Sequence, residues 1–286
     1  MLVYLLAVLT AAVNAAASVL QRAANRRRPA DELFHPRLIL RILREPLWFA
    51  GLAAMIGSFV LLAAALASGP IVVVEPLLIL DLPLTLVFAA LAFGRRTRRG
   101  EWVAVAAITV GLALLLFLLA PHGGDAADVT GGTWAVGLGG TVAAVAVLLG
   151  LGARARRGSP ARPALISLAS GTGFGVTTVL TKAMTTEYAR GGLSGIVTSW
   201  PLYGLLVAGA AAFYLLQVAL GSGPLIAAQP GLTAAEPIVA MAWGVAVFGE
   251  QVRGGWYAAL AVPAALLIAV GVGVLIRSFD PAAGRG

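Results

Sequence analysis

Long apolar runs separated by short polar joints dominate the chain, and most runs approach the roughly twenty residues that a helix needs to cross a bilayer. Nine runs predict membrane helices: Leu2–Leu20, Leu47–Ser68, Ile71–Phe93, Trp102–Ala120, Trp134–Leu151, Ala164–Met184, Pro201–Leu220, Leu225–Phe248 and Trp256–Ile276. The joints Ser68-Gly69-Pro70 and Ser222-Gly223-Pro224 are tight and predict helical hairpins. The expected fold class is therefore an all-α, polytopic helical membrane protein. Pro76 and Pro83 in the third run, and Pro230 and Pro237 in the eighth, predict kinks, with hinge action as the alternative. Gly171, Gly173 and Gly175 form a strip of small residues that lets helices approach closely. No strand precedes that strip, so it is no dinucleotide fingerprint.

The pattern repeats. FVLLAAALASGP (Phe59–Pro70) aligns with FYLLQVALGSGP (Phe213–Pro224), and the same register pairs Pro76 with Pro230, Pro83 with Pro237 and Trp102 with Trp256. Val19-Leu20-Gln21-Arg22-Ala23 likewise matches Val179-Leu180-Thr181-Lys182-Ala183, and Phe93-Gly94-Arg95 matches Phe248-Gly249-Glu250 after a one-residue slip. Proline and tryptophan are not interchangeable filler, so duplication is the expected origin. Spans one to four pair with six to nine, leaving the fifth as a linker. The expected organisation is a first repeat over 1–121, a linker with the fifth span and a basic loop over 122–162, and a second repeat over 163–286. An odd helix between the copies inverts the second, giving a 4+1+4 inverted repeat. In such proteins substrate binds near the midplane and access alternates by rocking.

Composition agrees with a membrane solvent: 60% of residues are hydrophobic, 11% charged, and mean hydropathy is +0.94. The absence of cysteine removes disulfides and thiolate metal sites. A net charge of +8 does not point to nucleic acid, because the arginines sit in blocks between apolar runs. All but Lys182, Arg190 and Arg253 of the 20 basic residues fall on connections of one side. The positive-inside rule makes that side cytoplasmic, with the N-terminus outside and the C-terminus inside a cell membrane. Ala15-Ala16-Ala17-Ser18 resembles a cleavage region, but the basic cluster follows the apolar run, the polarity of an N-out helix. Pro36–Arg44 places Arg37, Arg41 and Arg44 on one face and predicts a helix lying against anionic lipid.

The small third-helix segment ending in Gly69-Pro70, the proline-interrupted helix closing on Phe248-Gly249-Glu250 and the glycine-bearing final span resemble the drug/metabolite transporter superfamily with its EamA-type repeats. The nine-span plan is similar to the NIPA-like branch, and that resemblance implies magnesium transport. Two departures stand beside it. The usual half has five spans, whereas here the second helix shrinks to His35–Arg44 in one half and Arg190–Thr198 in the other. The motif glutamate Glu250 is Arg95 in the first half, which argues against a chemical role for it.

Charge near the bilayer centre is costly and marks candidate function. Glu75, Asp81 and Glu236 qualify, with Glu236 foremost because it lies halfway along its span. Glu75 precedes Pro76 and Glu236 precedes Pro237, and a proline frees a carbonyl beside the acid, an environment suited to hard cations. No buried Lys or Arg is expected at that depth, so these acids should hold a cation, a proton included, or stay solvated. Glu75 and Asp81 do not share a helical face; the alternative for each acid is a structural contact. Asn14, Gln217 and Gln229 could complete a substrate- or ion-binding site, ahead of Ser18, Thr85, Thr177, Thr178 and Thr233, which more often satisfy backbone. The repeat sets Glu75 opposite Gln229 and Glu236 opposite Leu82. His35 and His122 are isolated, and no metal-ligand set is assigned.

No Walker motif or nucleophile triad is present, so neither enzyme chemistry nor a cofactor is expected. The expected function is a secondary transporter of a small solute or cation, magnesium or another divalent cation being one version. Export of an organic metabolite or drug is the alternative, and a non-transporting membrane scaffold of the same fold the second. Expected partners are the substrate and the lipid bilayer, with no nucleic acid; a homodimer is left open.

Overall fold

The computed structural model describes the chain apart from residues 27–45, 95–98, 125, 127–128, 157–158, 160, 223–224 and 280–286, and apart from the side chains of 21–22, 24–26, 48, 220–221, 225–233 and 275–279. The described residues form α1 (Leu2–Arg26), α2 (Pro46–Ser68), α3 (Ile71–Leu78), α4 (Asp81–Phe93), α5 (Arg99–Leu119), α6 (Gly131–Arg154), α7 (Ala161–Thr198), α8 (Trp200–Gly221), α9 (Leu225–Ala246) and α10 (Trp256–Phe279). Among the described residues eight helical stretches are long and apolar enough to cross a membrane, α3 and α4 together making one of them, and Ala234–Ala246 within α9 is a shorter apolar one. Large apolar side chains such as Val60, Phe117, Val136, Val207 and Val262 stand exposed, as a lipid solvent allows. The surface helix expected over Pro36–Arg44, His35 with it, lies outside the described residues.

The expected third span is two helices. Pro76 and Pro83 each lack an N–H, and between them the backbone tightens into i→i+3 bonds: Ile79 N–H donates to Pro76 O, Leu80 to Leu77 O and Leu82 to Ile79 O. Asp81 then opens α4, where a carboxylate suits the positive helix end. Gly94 closes α4 in the left-handed conformation at φ 62°. The Arg190–Thr198 stub continues α7 beyond a break at Gly192, whose φ of 61° and ψ of −147° only glycine adopts readily.

Spatial proximity sorts the chain into two compact units, a division distinct from kinship between repeats. The first comprises Met1–Ala65, Pro76–Ala120 and Arg253–Gly286. Within it α1 packs on α4, and α5 on α10. Leu86, Ala104 and Ile108 form a buried core flanked by Ile79, Leu82, Val105 and Val272. The α5–α10 crossing is reciprocal. A Cβ on Gly111 would stand 2.8 Å from Ile268 Cγ1 and 3.0 Å from Ala264 O; one on Gly271 would stand 2.8 Å from Ile108 Cγ1 and 3.0 Å from Ala104 O. The same Ala-x3-Ile-x-Val-Gly pattern, Ala104 to Gly111 and Ala264 to Gly271, serves both helices. Its register is slipped from the one that pairs Trp102 with Trp256.

Gly111→Ala should therefore cost about 1–3 kcal/mol by overpacking, read as a lower Tm in detergent. Adding Gly271→Ala should cost less than its single effect, because helices already pushed apart have room for the second methyl.

The second unit comprises Leu66–Glu75 and Pro121–Val252. Its axis is α7, which packs on α6, α8 and α9. The glycine strip works by close approach, as expected from sequence: a Cβ on Gly173 would meet Ala212 Cβ at 2.8 Å, and one on Gly175 would meet Glu236 O at 2.8 Å. Ser170 Oγ donates to Ala212 O across the same seam. At one end Trp134 packs against Trp200, Trp243 and Phe248, and Trp243 Nε1 donates to Thr141 Oγ1 at 3.0 Å.

Candidate ion- and solute-binding site

Glu75 sits in α3 at 3% exposure, within the second unit. Thr178 of α7 lies beside its carboxylate, and the Glu236 carboxylate of α9 lies close enough to repel it. Its Oε1 has no hydrogen-bond partner among the described residues. Pro76 cannot bond back to Val72 O, so one turn of α3 offers a carboxylate and a bare carbonyl together. Pro237 leaves the same deficiency beside Glu236, which is half-buried. Gly175 brings the backbone of Glu236 against α7 one turn from Thr178, which sets both acids near the same stretch of α7. Two acids and freed carbonyls make an environment for a cation, with no basic side chain bonded to either acid among the described residues.

A buried cation lies one turn away from that depth, but it is committed elsewhere. Lys182 is 5% exposed; its Nζ donates to Glu250 Oε1 at 2.8 Å and to Gly69 O at 3.1 Å. Glu250, 2% exposed, also accepts from Ile71 N–H at 2.6 Å on Oε1 and from Val72 N–H at 2.9 Å on Oε2. It thus caps α3, satisfying two of the first-turn donors that every helix leaves open. This is an architectural role, consistent with the doubt raised by Arg95 in the first half. Two glycines make the room: a Cβ on Gly244 would collide with Glu250 Oε2, and one on Gly124 with Glu250 Cγ. Gly244→Ala should dislodge the carboxylate and cost about 1–3 kcal/mol, read as a lower Tm than that of the unaltered protein.

Beside the pair opens a cavity of about 900 Å³ lined by Ser68, Gly69, Gly123, Gly124, Lys182, Thr185, Thr186, Phe248 and Gly249 among others. The strap His122–Gln251 holds one rim, each backbone N–H donating to the other's carbonyl at 3.0 and 2.8 Å.

The first unit carries a separate polar chain. Asn14 Nδ2 donates to Asp81 Oδ2 at 3.0 Å, Thr85 Oγ1 to Asp81 Oδ1 at 3.2 Å, and Ser58 Oγ to Asn14 Oδ1 at 3.5 Å. Asn14 and Asp81 thus come together, but Asp81 and Glu75 belong to different units. Gln217 is exposed on α8, and the side chains of Gln229 and Thr233 lie outside the described residues. Thr177 donates to Phe174 O, a helix-satisfying bond of the kind expected, while Ser18 and His122 are exposed. Among the described residues no group of three or more His, Asp or Glu gathers in a metal-holding cluster. Sequence reasoning missed Ser58, Thr185 and Thr186 altogether; the signal for the last two was a lysine embedded in a threonine-rich apolar run.

An uncharacterized protein of Corynebacterium glutamicum is 30% identical over 245 residues, covering 85% of this chain and 83% of its own. No protein-family model matches the chain. No solved structure matches it.

Proposed function

Because the chain belongs to one family with that uncharacterized Corynebacterium protein, its role must be sought in its own buried chemistry, and we propose a secondary transporter that moves a cation, or a solute coupled to one, across the cell membrane. The observation that carries the reading is Glu75: a carboxylate at 3% exposure with an unpartnered oxygen and a second acid, Glu236, beside it. A protein seldom keeps such a group in a membrane helix for packing alone. Glu236 from α9 and Thr178 from α7 complete the cation's surroundings, and α3, through the Val72 carbonyl that Pro76 frees, supplies the bare carbonyl. The polar chain on Asp81 and Asn14 is a second place for cation or solute, its half-buried acid being already hydrogen-bonded.

The sequence resemblance to drug/metabolite transporters supports the same class, with the basic residues placing the N-terminus outside. Magnesium remains one candidate cargo, since Mg²⁺ is held by one or two carboxylates with retained water. An organic cation is the other.

Purified protein in liposomes, tested with Mg²⁺, other cations, amines and metabolites with and without a proton gradient, should move at least one of them. Movement of none, with no proton flux, would support the non-transporting scaffold instead. A Tm raised by Mg²⁺ and not by amines would select the divalent version.

A further inference from the structure

The acid pair and the 900 Å³ cavity lie in one unit, and the Lys182–Glu250 pair stands between them along two helices. On α7, Lys182 follows Thr178 by one turn, about 6 Å of rise; on α3, Ile71 precedes Glu75 by the same step. Thr178 and Glu75 lie side by side at the deeper level, and Lys182, Glu250 and Ile71 are bonded at the shallower one. Lys182 alone of these lines the cavity, with Ser68, Gly69, Thr185 and Thr186 around it.

The geometry points to Lys182–Glu250 as the closed gate of the acid site, forming the floor of a vestibule through which solute reaches Glu75 and Glu236. This inference rests on the carrier reading of those two acids. A single contact latches three separate pieces of chain: α7 through Lys182, the N-terminus of α3 through its amides, and the segment after α9 through Glu250. Gly249, at φ 68°, turns that segment so that the carboxylate points inward. While the pair is closed, an ammonium faces the vestibule and repels an arriving cation. When Lys182 lets go, the α3 amides still hold the Glu250 carboxylate, so the path opens with that carboxylate on its wall in place of a plug. Lys182 and Glu250 are therefore positioning residues that govern access, not ligands of the transported species.

The chain has no cysteine, which permits a labelling test without background. Thr185→Cys, in the vestibule, and Thr178→Cys, below the floor, are each exposed to membrane-impermeant 2-(trimethylammonio)ethyl methanethiosulfonate on intact cells and on inside-out vesicles. The side that labels Thr185→Cys is the side used for both. With the pair intact, Thr178→Cys should react at least ~10-fold more slowly than Thr185→Cys; adding Glu250→Gln or Lys182→Gln should raise its rate about tenfold or more, as for a gate open ten times as often, and change that of Thr185→Cys far less. Glu250→Gln keeps an oxygen for the α3 amides, and Lys182→Gln keeps the whole cap, so either can report if the other aggregates. Equal rates at the two positions with the pair intact, or no acceleration in a folded variant, would overturn the gate. Labelling needs no transported substrate, so failure here and failure of the carrier reading are separate results.

Discussion

Glu75→Gln is expected to slow transport roughly 10- to 100-fold, the equivalent of one charge-assisted hydrogen bond to the cation, while leaving the protein folded. The amide has the shape of the acid but can neither neutralise a cation nor carry a proton. Because Oε1 of Glu75 has no partner among the described residues, the substitution breaks no bond on that oxygen, and Tm should hold or rise. Glu236→Gln should act in the same direction. The double variant should be little worse than either single one, since the acids serve one cation. Asp81→Asn should be milder, because an asparagine oxygen still accepts from Thr85. Flux in liposomes and thermal unfolding of the same preparations check all four. A Glu75→Gln protein with unaltered flux would remove the acid from the mechanism.

Glu250→Ala should produce the largest loss of stability, about 3–5 kcal/mol, because it leaves a buried ammonium without its counter-charge and also uncaps α3. Lys182→Met should cost less. It leaves Glu250 with the amides of Ile71 and Val72, whose helix end favours an anion even without the lysine. Lys182→Met combined with Glu250→Gln should recover much of the loss of Glu250→Ala, for the pair vanishes as a unit while the cap keeps an acceptor. Thermal unfolding in detergent, with retained monodispersity as the control, orders the three. If Lys182→Met proved worse than Glu250→Ala, the cap would be the lesser role of Glu250.

Helix positions were legible because twenty apolar residues in a row have few alternatives in a bilayer. The break in the third span was half legible: its prolines announced a disturbance, but not that Ile79 and Leu80 would tighten and hand Asp81 the start of a new helix. The meeting of Thr178, Glu75 and Glu236 was not legible, since it depends on Gly175 admitting the backbone of α9. The pairing of Lys182 was not legible: it falls inside the run Ala164–Met184, yet charge counting reads it only as a basic residue of one side, whereas α7 runs helically on to Gly192 and takes the lysine inside. Its partner Glu250 bonds an amide 179 residues away, a separation that local pattern cannot report. The Asn14–Asp81 contact spans 67 residues and had only the polarity of both groups to suggest it.

The reciprocal glycine contact between α5 and α10 also sets an order of assembly. A ribosome delivers α5 long before α10, and at about 5–20 residues per second the intervening chain takes on the order of ten seconds to emerge. Throughout that interval the surface around Ile108 and Gly111 has lipid in place of its eventual neighbour. The first unit is thus completed by the last described helix. Release of the nascent chain before α10 is inserted would leave that unit open, however well the second had already folded.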